Sequence, residues 1–167
     1  MAIRGAVGAA VLALVAGTAA AQTGPVRLGS AQSPIATSVR VPAGSDLIYV
    51  SGTVPDPVDA DAPAGSPQRW GDTEAQTRSV LGKIEKVLAQ QGLGLGDVVM
   101  MRVFLVAPPG QQAMDFAGMM RAYSERFGTA GQPNKPARST MEVAGLVDAA
   151  WLVEIEVTAA KGAKLPK

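Results

Sequence analysis

The chain of 167 residues carries 15 basic and 14 acidic side chains, a formal net charge of +1, and no basic run, so it lacks the charge pattern of a nucleic-acid-binding surface. It contains no cysteine and no histidine, which excludes disulfides, thiol nucleophiles, Ser-His-Asp triads and metal sites built on those residues. Any chemistry must therefore use arginine, lysine, carboxylate, hydroxyl or backbone groups, and no cofactor is predicted.

The first 21 residues have the layout of a secretory signal peptide. Arg4 supplies a positive charge, residues 6–17 are small and apolar, and Ala19 and Ala21 are the small residues of a cleavage site before Gln22. The apolar run is shorter than the roughly 20 residues of a membrane-spanning helix. We therefore predict a periplasmic or secreted protein that is free of the membrane after cleavage. An uncleaved anchor or a disordered alanine-rich tail is the alternative.

Residues 22–167 have the size of one ordinary domain with a single core. Residues 22–35 are polar and rich in glycine and proline, as expected of an irregular lead-in. Two β-rich runs, 39–41 and 47–52, flank a turn-rich pentapeptide, and this pattern predicts a β-hairpin. The proline-containing stretch 56–71 that follows is typical of a surface loop.

Two amphipathic helices are predicted next. The first begins at a cap on Asp72 or Thr73 and ends at Gly92. Its apolar face consists of Val80, Leu81, Ile84, Val87 and Leu88. The second runs from about Gln112 to Phe127. Its apolar face, interpreted as core, consists of Phe116, Met119, Met120, Tyr123 and Phe127.

Strands lie between and after these helices. Residues 98–106 and 151–157 alternate apolar with more polar positions, and residues 139–143 are compatible with a further short strand. The resulting order β-β-α-β-α-β predicts an α+β fold whose sheet is covered by two helices on one face. Because this chain leaves the other face uncovered, we also predict an oligomer.

Two further patterns are interpreted as loops. The glycines at 92, 94 and 96 follow a helix and precede a strand, whereas a dinucleotide-binding cluster follows a strand and opens a helix. Asp56, Asp59 and Asp61 have part of the spacing of a calcium loop, but the required glycine and distal glutamate are missing. Neither pattern predicts a cofactor or metal site.

A set of short motifs spread over residues 34–160 resembles the RidA/YjgF family in the family's own order. These motifs are 51–55 (SGTVP), 76–78 (QTR), 97–99 (DVV), 103–105 (VFL), 115–116 (DF), 136–140 (PARST), 142–143 (EV) and 153–156 (VEIE). The resemblance implies a chorismate-mutase-like fold assembled as a homotrimer, with sites in the clefts between subunits. It also implies hydrolytic deamination of reactive enamines and imines, such as 2-aminoacrylate.

Arg138 matches the arginine of the family's Pro-Ala-Arg-Ser motif. A guanidinium offers a planar fork of donors that meets a carboxylate through two hydrogen bonds, so it suits the α-carboxylate of a small 2-imino acid. The alternative is a salt bridge between subunits, a common use of arginine. The resemblance also assigns Ser51, Gly52 and Thr140 to the lining of the pocket.

Glu154 matches the family's acidic residue on the last strand, which is thought to position the water or to move a proton to the departing nitrogen. Glu154 and Glu156 are alternatively two polar positions on a solvated strand face. Geometry decides between these roles.

The chain departs from the deaminases of the family at three positions, where it has Ile35 in place of a tyrosine, Met120 in place of an asparagine and Thr140 where a cysteine is common. Two hypotheses follow. The first is a hydrolase of 2-imino acids such as 2-iminopropionate and 2-iminobutyrate. The second is a non-catalytic trimeric protein that binds small carboxylates.

Overall fold

The computed structural model describes residues 23–163, and the predicted signal peptide, residues 1–21, lies outside the described residues. A short 3-10 turn at Leu95–Asp97 precedes β4. The strands and helices in chain order are β1 (Val26–Leu28), β2 (Ser38–Arg40), β3 (Asp46–Thr53), α1 (Pro67–Trp70), α2 (Thr73–Gln90), β4 (Val98–Leu105), α3 (Phe116–Ser124), β5 (Ala137–Glu142) and β6 (Val153–Lys161).

The main sheet has four strands in the order β3-β6-β4-β5. Strand β6 is antiparallel to both β3 and β4, and β5 is parallel to β4. β5 is therefore an edge strand. A separate antiparallel ribbon is formed by β1 and β2.

Both long helices pack on one face of this sheet, and this confirms the predicted α+β architecture. Alternate residues of β4 and β6, including Met101, Val103 and Ile155, are buried against apolar residues of α2 and α3. Residues 23–163 do not cover the opposite face, and Tyr49 on it is 75% exposed. Within residues 23–163, no helix is long and apolar enough to cross a membrane.

The helix boundaries follow from capping side chains. The Asp72 carboxylate accepts the Ala75 N–H at 2.8 Å and starts α2, and Gly92 adopts φ = 70° just after the helix, as predicted. The second helix is shorter than the predicted span 112–127. It begins at Phe116 because the Asp115 carboxylate accepts the Gly118 N–H at 2.8 Å.

The predicted hairpin between residues 39–41 and 47–52 is wrong. Strand β2 pairs with β1, which lies in the predicted irregular lead-in, and β3 pairs with β6. A strand of eight residues needs a long partner to satisfy its backbone groups, and the nine-residue β6 provides one, whereas β2 has only three residues. β6 also begins later than predicted, at Val153, and extends to Lys161.

The predicted loop 56–71 contains the short helix α1, which places Trp70 in a buried position. Its indole packs edge-on against that of Trp151 with ring centres 5.7 Å apart. The buried amide of Gln76 holds the residues beside Trp151, because it accepts the Leu152 N–H at 2.7 Å and donates to the Ala150 carbonyl at 3.0 Å. The loop is therefore anchored to the domain at its end.

Candidate functional site

Arg138 lies on the edge strand β5, and its side chain points towards helix α3. Its register opposite the buried Met101 places it on the helix-covered face of the sheet. The guanidinium carbon lies 4.2 Å from the centre of the Tyr123 ring and 5.9 Å from that of Phe116. Nη2 donates to the Met120 sulfur at 3.2 Å. Three residues on one face of α3 thus surround the guanidinium.

The charge of Arg138 is poorly compensated within the chain. Within residues 23–163, no carboxylate lies within the 4.0 Å limit for an ion pair with it. Burial lowers the pKa of Arg138, and burial also raises the pKa of Tyr123 to about 12, so the phenol beside it stays neutral. Arg138 Nη1 is buried and has no hydrogen-bond partner among residues 23–163. An anionic acceptor placed at Nη1 would remove this desolvation penalty.

Thr140 has the same orientation as Arg138. It lies opposite the buried Val103, two residues further along β5, and its hydroxyl oxygen is buried without a partner. Arg138 and Thr140, two residues apart on β5, therefore both present an unpaired polar group on the helix-covered face of the sheet. One is a charged donor and the other can donate or accept.

The segment that carries Ile35 is fastened beside Arg138. The Tyr123 hydroxyl donates to the Pro34 carbonyl at 3.0 Å, and the Ala36 N–H donates to the Pro136 carbonyl at 2.9 Å. Ile35 is half-buried between these two anchors. Of the three departures from the family pattern, Met120 contacts the guanidinium, Thr140 lies two residues along the same strand face, and Ile35 lies on the segment bonded to Tyr123.

Glu154 lies on the opposite face of the sheet and packs on Gly52. Its register opposite Phe104 places it on the open face. A Cβ atom added at Gly52 would stand 2.8 Å from the Glu154 carboxylate carbon, closer than real Cβ contacts come. The register of β3 shifts between Val50 and Thr53, so Ser51 and Gly52 form an irregularity beside Glu154. Ser51, Gly52 and Glu154 are thus brought together.

The structure distinguishes Glu154 from Glu156. Glu156 accepts a hydrogen bond from Arg102 in an ion pair on the open face. Glu156 and Arg102 line a concavity of about 340 Å³ together with Tyr49 and Ser51, and Glu154 is not part of this lining. No side-chain hydrogen bond or ion pair engages Glu154 among residues 23–163. Of these two carboxylates, Glu154 is therefore the one without a side-chain partner in the described part of the chain.

The predicted site residues do not lie together within one chain. Arg138 and Thr140 lie on the helix-covered face, whereas Ser51, Gly52 and Glu154 lie on the open face of the same sheet. A ligand that touches both groups must lie between two chains. Within residues 23–163, no group of three or more Asp or Glu residues is placed to hold a metal ion.

Sequence reasoning missed the neighbours of Arg138. Phe116 and Met120 were assigned to the core with Tyr123, but Phe116 is 43% exposed and Met120 is half-buried. Only the parallel pairing of β5 with β4 places Arg138 under α3. The spacing 116, 120, 123 indicates one helix face, but it does not indicate what that face covers.

The contact between Gly52 and Glu154 gives a first prediction. We expect Gly52→Ala to displace the Glu154 carboxylate and, for any reaction that uses this carboxylate, to lower turnover by at least about tenfold, because a displacement of about 1 Å at a reacting group costs up to 100-fold. The melting temperature should change little, since a displaced Glu154 can turn into solvent. Gly145→Ala is the control, because a Cβ there meets nothing within 4 Å. Equal turnover of both variants would exclude a role for Glu154 in its present position.

Comparison with known proteins agrees with the fold and with the motifs. The family described as endoribonuclease L-PSP matches residues 28–161. A RutC family protein of Pyrococcus horikoshii is 33% identical over 132 residues, which cover 79% of this chain and 93% of the relative. The 3-aminoacrylate deaminase RutC of Acinetobacter baylyi is 32% identical over 122 residues, which cover 73% and 85%.

Solved structures show the same fold. Escherichia coli TdcF with bound serine is 26% identical, with a TM-score of 0.53 over 81% of this chain and 98% of that chain. A Rid family protein from Yersinia pestis has a TM-score of 0.59 at 22% identity over 82% of this chain and 98% of that chain, and it supports the fold alone. Because the family match spans most of the described residues, this chain belongs to the endoribonuclease L-PSP family, which is the RidA/YjgF family that its motifs resemble.

Proposed function

We propose that this protein hydrolyses 2-imino acids and their enamine forms to 2-keto acids and ammonia, with the substrate carboxylate held by Arg138 at a subunit interface. The observation that carries the proposal is the buried Arg138 Nη1, which has no partner and no carboxylate nearby within residues 23–163. A carboxylate at this atom forms a charge-assisted hydrogen bond in a partly desolvated setting. Thr140 Oγ1, a second buried atom without a partner within residues 23–163, lies two residues along the same face of β5 and is the group that we propose for its second oxygen.

The reaction needs one carboxylate besides the arginine. Water adds to C2 of the C=N bond while Glu154 takes a proton from it, and a carbinolamine forms. Glu154 passes this proton to the imine nitrogen, which becomes the amino group of the carbinolamine. Glu154 then moves the hydroxyl proton of the carbinolamine to that amino group, the C–N bond breaks, and ammonia leaves as the C2 carbonyl forms. The backbone N–H groups at Ser51 and Gly52 are donors for the oxygen that develops charge at C2.

The split placement of Arg138 and Glu154 supports a site built by two chains. The open face is the surface available for association, because Leu47 and Tyr49 on β3 are 45% and 75% exposed. We propose a homotrimer in which the edge strand β5 of one chain approaches the open face of the next. Cyclic symmetry then produces three equivalent sites.

The relatives support a small carboxylate as the substrate. The Acinetobacter relative is named a deaminase of 3-aminoacrylate, an enamine that carries a carboxylate. The TdcF structure contains serine, which carries an α-carboxylate. The nuclease in the family's description is not part of the proposal, since the chain's charge pattern does not predict a nucleic-acid surface. We also propose that the protein is exported to the periplasm or secreted, because residues 1–21 have the layout of a leader.

The second candidate is a non-catalytic protein that binds small carboxylates in the same clefts. The contact of Arg138 with the Met120 sulfur, where the family's deaminases carry an asparagine, favours this candidate. A thioether is a weak acceptor and cannot position water as an amide does. Both candidates predict carboxylate binding, and only the first predicts turnover.

Turnover on freshly made imines separates the two candidates. An amino-acid oxidase acting on alanine or 2-aminobutyrate supplies 2-iminopropionate or 2-iminobutyrate, and semicarbazide traps the imine that remains. We expect the protein to lower semicarbazone formation in a dose-dependent manner while keto-acid formation is preserved. If the semicarbazone yield is unchanged while pyruvate binds in calorimetry, the binding protein is correct. If neither imine turnover nor keto-acid binding is observed, both candidates fail.

A further inference from the structure

The two terminal nitrogens of Arg138 have different partners. Nη2 donates to the thioether of Met120 at 3.2 Å, whereas Nη1 is buried and unpaired. Sulfur in a thioether is a weak, polarizable acceptor. Met120 therefore fixes the direction of the guanidinium while leaving its charge available for an anion. It also presents half-buried apolar surface directly beside the atom where the carboxylate binds.

Besides the unpaired hydroxyl of Thr140, the side chains near Arg138 include the aromatic rings of Tyr123 and Phe116. The hydroxyl of Tyr123 donates to the Pro34 carbonyl, so the aromatic ring is the part of this residue that contacts the guanidinium, at 4.2 Å. The Phe116 ring lies 5.9 Å from the guanidinium carbon and is 43% exposed. Ile35 is half-buried on the adjacent segment.

We propose that Met120 determines specificity and that the site prefers 2-imino acids with an apolar side chain of three or more carbons over those derived from alanine or serine. The inference rests on the proposed function. With a carboxylate on Nη1, the substrate's side chain would point towards Met120, which contacts Nη2. Phe116 on the same helix face and Ile35 on the segment bonded to Tyr123 are the further apolar side chains. Each additional substrate methylene that is buried against apolar side chains changes the ratio of kcat/KM between two substrates by about tenfold or more. A serine-derived hydroxyl gains no partner from these three residues and loses its water.

Substrate competition measures this preference. Imines are generated from L-leucine and from L-alanine, and kcat/KM is compared for the two. We expect the leucine-derived imine to be preferred by at least about tenfold. Binding of 4-methyl-2-oxopentanoate against pyruvate, measured by calorimetry, should show the same order without any catalytic step.

Substitutions at position 120 test its role. Met120→Gln keeps the length of the side chain but makes its end polar, so we expect the preference to fall towards one. Met120→Leu keeps the apolar surface without the sulfur and should retain most of the preference. Ala117→Gln, a matched polar substitution at an exposed position of α3, should leave the preference unchanged. Should Met120→Gln not fold, Met120→Ala, which removes apolar surface, must lower the preference instead.

The outcomes distinguish this inference from the function on which it rests. Imine hydrolysis with equal kcat/KM for both substrates, or a preference that Met120→Gln leaves unchanged, would overturn the role of Met120 and leave the hydrolase intact. Absence of both hydrolysis and keto-acid binding would overturn the two together. If calorimetry shows that 4-methyl-2-oxopentanoate binds more tightly than pyruvate and that Met120→Gln abolishes this difference, that result supports the role of Met120 in specificity even if no imine is hydrolysed.

Discussion

Arg138→Ala should abolish binding and turnover of small 2-keto and 2-imino acids while leaving assembly and melting temperature nearly unchanged. A hydrogen bond to a charged group contributes about 1.5–3 kcal/mol, so the affinity should fall by at least about tenfold. Removing the side chain also removes a buried donor that lacks a partner, which limits any loss of stability. Titration of pyruvate into each protein by calorimetry, with light scattering on the same samples, measures both properties.

Two further variants, Arg138→Lys and Arg121→Ala, complete this experiment. Lysine keeps the charge but not the planar fork of donors, so it should rescue binding only in part. Arg121→Ala on α3 is the matched control, because Arg121 is exposed and pairs with Glu74 on the protein surface. If Arg138 instead forms a salt bridge between subunits, Arg138→Ala will dissociate or melt earlier, and the surviving assembly will bind pyruvate as before.

Mixing two inactive variants should restore activity. Arg138→Ala and Glu154→Gln each remove one half of the site, and the two halves lie on opposite faces of the sheet. In trimers formed at random from equal amounts of both chains, about one quarter of the interfaces combine an intact Arg138 with an intact Glu154. We therefore expect about a quarter of the unmodified activity from the coexpressed mixture, measured by imine turnover.

The control is the same two variants assembled separately and mixed without subunit exchange, which should stay inactive. Light scattering should give about three times the mass of one chain for every sample. A monomer in solution would exclude the cleft between subunits. A correctly assembled mixture that stays inactive would show that the site does not combine Arg138 and Glu154 from different chains.

Local patterns in the sequence determined much of the fold. The alternation along residues 98–106 predicted β4, and helical spacing predicted the buried face of α2. Four of the five residues predicted for that face, Val80, Leu81, Ile84 and Leu88, are fully buried, whereas the fifth, Val87, is 40% exposed. The cap at Asp72 and the glycine at position 92 fixed the ends of α2 closely. Such features are readable because the period of a helix or strand and the chemistry of a cap are set by residues close in sequence.

Pairing between distant segments was decided only by the tertiary structure. Nothing local distinguishes a hairpin of β2 and β3 from the observed pairing of β3 with β6, because the hydrophobic pattern of β3 satisfies either partner. The motifs identified Arg138, Glu154 and Gly52 as candidates. They could not place Arg138 under Tyr123 and Met120 or Glu154 on the other face, since strand order and register follow from packing of the whole sheet against α2 and α3.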